Sequence, residues 1–194
     1  ENTKAIILNT PNNPTGAVYT AEETKRLVDF AVKHDLWILD DMIYSTLVWT
    51  DVGYTSPCAF EGGSERTITI GGWSKGWAMT GWRLGWITGP TNLMDGVKIV
   101  NVSSATHVPT FLMPAAAKAL SLDEEVQVMK DAFAERRVLM HQGLSSLPGF
   151  VVPEPEGAFY ILCDITGTGL TDIEFAHQAL EHAQVQVIPG SLMK

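Results

Sequence analysis

Lys75 and Arg83 stand eight residues apart in the stretch Gly71–Trp86, GGWSKGWAMTGWRLGW, where four tryptophans and five glycines leave little else that is polar. Apolar surroundings are a costly place for a charge. They disfavour the charged form of an amine, which is how a lysine becomes a Schiff-base nucleophile. Three further residues offer complementary chemistry: the amide of Asn13 in NNPTG, the carboxylate of Asp41 and the phenol of Tyr44 in DMIY. Ser74 adds a hydroxyl beside the lysine.

Each has a plainer reading when taken alone. NNPTG is a common kind of turn. Asp40 and Asp41 suit an N-cap pair. Tyr44 can be an ordinary half-buried tyrosine, and Arg83 can reach past its apolar neighbours to water. The elements that must position these residues bring them together. Ala5–Asn9 (AIILN) reads as a buried strand ending in the NNPTG loop. Thr20 opens a helix with Glu23 completing a capping box, and Leu27, Phe30 and Ala31 recur at helical spacing. Leu36–Asp40 reads as a second strand, Thr67–Ile70 as a third and Leu84–Gly89 as a fourth. Strand–helix–strand order predicts an α/β fold with a mainly parallel sheet in three layers. Ligands bind such sheets beyond the carboxyl ends of the strands. Asn13, Asp41, Tyr44, Ser74 and Lys75 all follow strand ends, so the topology predicts one convergent polar site.

The second half reads differently. Pro114–Leu122 is an alanine-rich helix, and Asp123–Leu147 a long one with Val126, Met129, Phe133, Met140, Leu144 and Leu147 on one broad face. FVVP, GAFYILCDI, a helix over Thr171–Ala183 and VQVIPG then suggest part of a small α+β unit. A boundary near Arg137 divides the chain into 1–137 and 138–194.

Composition narrows the possibilities. Of 194 residues 45% are hydrophobic and 18% charged, enough for a real core and too few charges for a disordered chain. A net charge of −9 leaves no basic surplus for phosphates and excludes a general nucleic-acid binder. No apolar run reaches membrane-spanning length, and no signal peptide is visible, although the chain begins with Glu1, as if entered in the middle. Cys58 and Cys163 are far apart in no CxxC pattern, which suits two reduced thiols in the cytoplasm. His177 and His182, five apart on one helix, do not share a face and predict no metal site.

NNPTG, DMIY and SKGWAMTGWRLGW, in this order and at these separations, resemble the class I/II aminotransferases of pyridoxal-phosphate fold type I. The resemblance is strongest over Ala5–Gly89 and continues more loosely through GAFYILCDI and VIPGS. It implies that residues 1–137 are the C-terminal part of a large cofactor-binding domain and 138–194 part of a small C-terminal domain. It implies that Lys75 holds pyridoxal 5'-phosphate as an internal aldimine, and that the freed amine later moves a proton at the substrate. Asp41 is implied to pair with the ring nitrogen, Tyr44 and Asn13 to bond the 3-oxygen, and Arg83 to clamp the phosphate. Ser74 is a second implied phosphate ligand, because the serine that many relatives carry three residues before the lysine is Gly72 here. A cis bond before Pro14 would fit the family.

The implied reaction exchanges an amino group between an L-amino acid and a 2-oxo acid in a cytoplasmic homodimer with shared active sites, with no nucleic acid or membrane partner. A carbon–sulfur lyase and the sensor domain of a transcription regulator are the alternatives within the fold. The family's upstream phosphate loop and downstream carboxylate-binding arginine have no counterpart in these residues, so the 194-residue segment is expected to be inactive by itself.

Overall fold

A computed structural model describes residues 2–193. Four strands form one sheet in the order β1 (Ala5–Asn9), β2 (Trp37–Asp41), β3 (Thr67–Gly72), β4 (Gly85–Thr88). β1, β2 and β3 run parallel, and β4 returns antiparallel to β3. The antiparallel return follows from the connection: a parallel neighbour needs a crossover, whereas the Trp73–Leu84 loop only turns back. The loop closes through Trp73 N–H donating to the Leu84 carbonyl at 3.3 Å.

Helix α1 (Ala21–Lys33) connects β1 to β2. Its start is the predicted capping box, with the Thr20 hydroxyl accepting from Glu23 N–H and the Glu23 carboxylate accepting from Thr20 N–H. Val28 and Ala31 are fully buried and pack with Leu8, Leu36 and Ile38, supported by Ile6, Leu27 and Phe60. Phe30 differs from expectation. It is half-exposed and rests on the His34 ring at 4.3 Å, because Val28, not Phe30, shares the inward face with Thr24 and Ala31.

Strands alternate their side chains between faces. Leu8 and Ile38 therefore meet α1, with Asp40 on the same face, while Ile7, Asn9, Leu39, Asp41, Ile68 and Ile70 share the other. Ile7 on that face is 72% exposed, so within these residues α1 covers one side of the sheet only.

The remaining elements are mostly helical. α2 (Thr91–Ser104), which the sequence reading left out, is followed by α3 (Met113–Ala119), α4 (Asp123–Ser145) and α5 (Asp172–Ala183). α4 runs unbroken past Arg137, and its apolar face is only partly covered: Met140 is 52% exposed. A Thr171–Glu174 capping box starts α5. The expected strands of the α+β unit are reduced to isolated bridges, Val48 with Gly157 and Val151 with Asp164. A strand needs a paired neighbour along its length, and each of these segments is bridged only at a single point.

Candidate active site

The first strand ends in a loop held by side-chain amides. Asn9 Oδ1 accepts from Asn13 N–H at 2.8 Å and from Asn12 Nδ2 at 3.2 Å, while Asn9 Nδ2 donates to the Asp41 carbonyl at 3.3 Å. One asparagine, which sequence reasoning missed, thus ties the NNPTG loop to the end of β2. Both Thr10–Pro11 and Asn13–Pro14 are cis, the second as the resemblance implied.

β2 ends at Asp41, and its half-buried carboxylate accepts from Ile43 N–H at 3.4 Å, which turns the chain toward Tyr44. Tyr44 is 3% exposed. Burial pushes its phenol pKa up, the bond to Tyr160 and the negative charge of Asp41 add to the rise, and the Asn13 side chain opposes it. Tyr44 is therefore the meeting point of Asn13 and Asp41. Asp40 has a different environment. Fully buried, it accepts from Tyr54 Oη at 2.5 Å through Oδ2, while Oδ1 has no hydrogen-bond partner among the described residues. The N-cap reading of this aspartate pair gives way to a turn-forming Asp41 and a core Asp40.

β3 leads into Ser74 and Lys75, both half-buried in the turn that follows it. The Lys75 Nζ lies 5.8 Å from the centre of the Tyr44 ring and 5.5 Å from that of Phe159. Aromatic faces attract an ammonium, and among the described residues Lys75 has no carboxylate partner. The glycines before it allow close packing. A Cβ on Gly71 would run into the Trp86 indole, and one on Gly72 would lie 2.9 Å from the Leu84 carbonyl oxygen. Gly72 thus occupies a position with no room for a serine in this arrangement. Trp73 donates from Nε1 to the Ala116 carbonyl at 3.0 Å and pins the loop to α3.

Arg83 is exposed, with left-handed backbone (φ 56°), and its guanidinium donates to the Thr80 carbonyl at 2.8 Å. The structure places the Lys75 Nζ 5.8 Å from the centre of the Tyr44 ring, and Asn13 and Asp41 are near enough to act on the Tyr44 phenol. It gives Arg83 and Ser74 no hydrogen bond to that group among the described residues.

Two aromatic residues complete the cluster. Tyr160 Oη lies 2.6 Å from Tyr44 Oη, and Phe159 packs on Tyr44, Tyr160 and Phe133 at 5.5, 4.7 and 5.2 Å between ring centres. The backbone before them is clasped on both sides. Glu156 and Gly157 N–H both donate to the Gly16 carbonyl, at 2.9 and 2.8 Å, and the Glu156 carboxylate accepts from Val18 N–H at 3.1 Å. On the other side Trp49 N–H donates to the Glu156 carbonyl and Trp49 Nε1 to the Ala158 carbonyl, both at 2.8 Å. The motif GAFYILCDI was visible in the sequence. What could not be seen is that it threads between the NNPTG loop and the turn after Tyr44, because that contact spans more than a hundred residues.

Among the described residues no group of His, Cys, Asp and Glu could hold a metal ion, and both cysteines are unpaired. No helix among them is long and apolar enough to cross a membrane. A carboxylate, a phenol, an amide and an amine around one aromatic wall fit pyridoxal phosphate: an acceptor for its ring nitrogen, donors for its 3-oxygen and an amine for its carbonyl carbon.

Comparison with known proteins agrees. The chain is 42% identical over 192 residues to aromatic-amino-acid aminotransferase 2 of Thermococcus litoralis, covering 97% of this chain and 49% of that protein. It is 41% identical over 194 residues to the aspartate aminotransferase of Pyrococcus abyssi, covering 98% and 50%. It superposes on the aromatic aminotransferase from Pyrococcus horikoshii OT3 with a TM-score of 0.93 at 40% identity, over 97% of this chain and 51% of that one. It superposes on the aspartate aminotransferase from Thermus thermophilus with maleate with a TM-score of 0.89 at 36% identity, over 97% and 49%. The chain thus spans about half the length of the relatives it matches. The family model for aminotransferase class I and II matches residues 1–194, so the chain belongs to the class I and II aminotransferases.

Proposed function

We propose that the protein carrying this chain is a pyridoxal-phosphate-dependent aminotransferase that moves an amino group between an L-amino acid and a 2-oxo acid. The observation that supports it most is the gathering of Lys75, Asn13 and Asp41 around Tyr44 at the carboxyl edge of the sheet. When bound, the cofactor supplies an electron sink for negative charge at the substrate α-carbon.

The chain's own residues do the rest. Lys75 would hold the cofactor through its amine, and the same amine would move a proton at the substrate α-carbon. Asp41 keeps the ring nitrogen protonated by pairing with it. Tyr44 and Asn13 donate to the 3-oxygen. Arg83 binds the phosphate by a charge-assisted bond, and Ser74 is its second ligand.

The relatives' names favour transamination over a carbon–sulfur lyase or a cofactor-binding sensor. They also name both aromatic and aspartate enzymes, so the donor is to be found by a screen of amino acids. In the same reading the protein is a cytoplasmic homodimer with shared sites. Exposed Ile99, Val100 and Val102 on α2 offer apolar surface for such an assembly. Residues 1–137 belong to the large domain and 138–194 to the small one, and the 194-residue segment alone is inactive; measurable transamination by it would overturn that last point.

The deciding experiment is Lys75→Ala in the full-length protein. The absorbance of the bound cofactor near the visible edge disappears in the variant, and addition of an amino donor changes it in the wild type. Survival of the band in Lys75→Ala would mean that another residue holds the cofactor.

A further inference from the structure

We propose that Tyr160 is a positioning residue of this site: its hydroxyl, 2.6 Å from that of Tyr44, fixes the direction in which Tyr44 offers its proton. The inference rests on the reading of Lys75 and Tyr44 as cofactor ligands. A buried hydroxyl has one proton to give and lone pairs that accept, and its proton rotates to suit its partners. Either hydroxyl of the pair can donate; when Tyr44 gives its proton to the 3-oxygen, Tyr160 takes the donor role and Tyr44 accepts from it, and a donor that itself accepts a bond donates more strongly.

Three observations make Tyr160 a fixed partner. The two phenol rings meet edge to face at 5.6 Å. The preceding backbone is held by Gly16 on one side and by Leu47 and Trp49 on the other, with Ala158 N–H donating to the Leu47 carbonyl at 2.8 Å. Gly157 also sits where a Cβ would lie 2.6 Å from Pro11 Cβ, which leaves the segment no slack. The groups facing Tyr44 are Asp41 at the end of β2, Asn13 from the first loop, Lys75 after β3 and Tyr160 itself. From α4, Arg136 lies 5.7 Å from the Phe133 ring, behind Phe159.

The test compares Tyr160→Phe, Tyr44→Phe and the double variant in the full-length holoenzyme, by titrating the visible band of the bound cofactor with pH. A donor to the 3-oxygen stabilises charge there and lowers proton affinity nearby, so weakening it raises the midpoint. Tyr160→Phe raises the midpoint by roughly half to one pH unit, the worth of one modest hydrogen bond. Tyr44→Phe raises it further, and the double variant matches Tyr44→Phe, because Tyr160 acts only through Tyr44. An unchanged midpoint in Tyr160→Phe, or shifts that add in the double variant, overturns the proposal. Absence of any band in the wild type, or its persistence in Lys75→Ala, overturns the underlying reading and the role of Tyr160 with it.

Discussion

Asp40 and Asp41 are consecutive in β2 and lie on opposite faces of the sheet. Asp40 pairs in register with Leu8 on the face that α1 covers, whereas Asp41 pairs with Asn9 on the face that carries the site. The alternation of a strand thus separates two chemically identical side chains into two jobs. The inner one is fully buried against Tyr54, and the outer one is left half-exposed at the strand end.

Burial raises the Asp40 pKa to about 6, the negative charge of Asp41 adds to the rise, and the Tyr54 bond opposes it. The sign of its contribution to stability follows. A carboxyl with a raised folded pKa holds its proton in the native state after the unfolded chain has lost it. Stability from Asp40 is therefore complete below the unfolded pKa near 3.8 and declines as pH rises to about 6. Asp40→Asn keeps a neutral acceptor for Tyr54 and does not titrate. Its stability relative to wild type, read by urea unfolding, should improve by on the order of 1–2 kcal/mol between about pH 5 and about pH 7.5. A difference constant with pH would mean that Asp40 ionises in the core without penalty.

Asp41→Ala should separate chemistry from binding. The carboxylate acts on charge that develops during reaction, so its loss lowers turnover by about 10²- to 10³-fold. Cofactor affinity, shared with Lys75, Tyr44 and Arg83, falls by about tenfold or less. Parallel steady-state kinetics and cofactor titration check this; equal losses in both would make Asp41 a structural residue of the strand end.

Much of the fold, and the placement of four candidate site residues at strand ends, were legible because their signals are local. The capping box at Thr20, the apolar runs of β1 to β3 and the motifs at their ends each lie within a few residues, and Asn13, Asp41, Tyr44 and Lys75 follow from knowing where strands end. What escaped depends on distant contacts. Phe30 matches a helical period yet faces out, because the register of α1 against the sheet is set by Leu8 and Ile38. GAFYILCDI reads as a strand but is fixed by single bridges and by Gly16, Leu47 and Trp49, all more than a hundred residues upstream. α2 carries a weak helical pattern with no buried residue, so the amphipathic signal that reveals α1 is missing.

Gly157→Ala tests that long-range clasp. The added methyl would lie 2.6 Å from Pro11 Cβ and 2.8 Å from Val18 Cγ2, and a proline ring cannot swing aside. Overpacking of this kind costs about 1–3 kcal/mol. Urea unfolding of the full-length protein should show the loss, whereas Gly81→Ala, where a Cβ meets nothing within 4 Å, should not.

Arg83 and Ser74 can be ranked by what each could give a phosphate. A guanidinium offers a charge-assisted, fork-shaped contact, and among the described residues the exposed Arg83 has only the Thr80 carbonyl to give up. A hydrogen bond involving a charged donor is worth about 1.5–3 kcal/mol, so Arg83→Ala should weaken cofactor binding about 10- to 100-fold. Ser74 offers one neutral hydroxyl, and Ser74→Ala should weaken it by about 2- to 10-fold. Arg83→Lys keeps the charge without the fork and should fall between wild type and Arg83→Ala. Titration of the apoenzyme with pyridoxal phosphate and with pyridoxal lacking the phosphate separates the contributions. Both alanine effects should vanish with the dephosphorylated compound. An Arg83→Ala loss that persists with plain pyridoxal would assign Arg83 to the shape of the Thr80–Trp82 turn, where its left-handed backbone already places a structural demand.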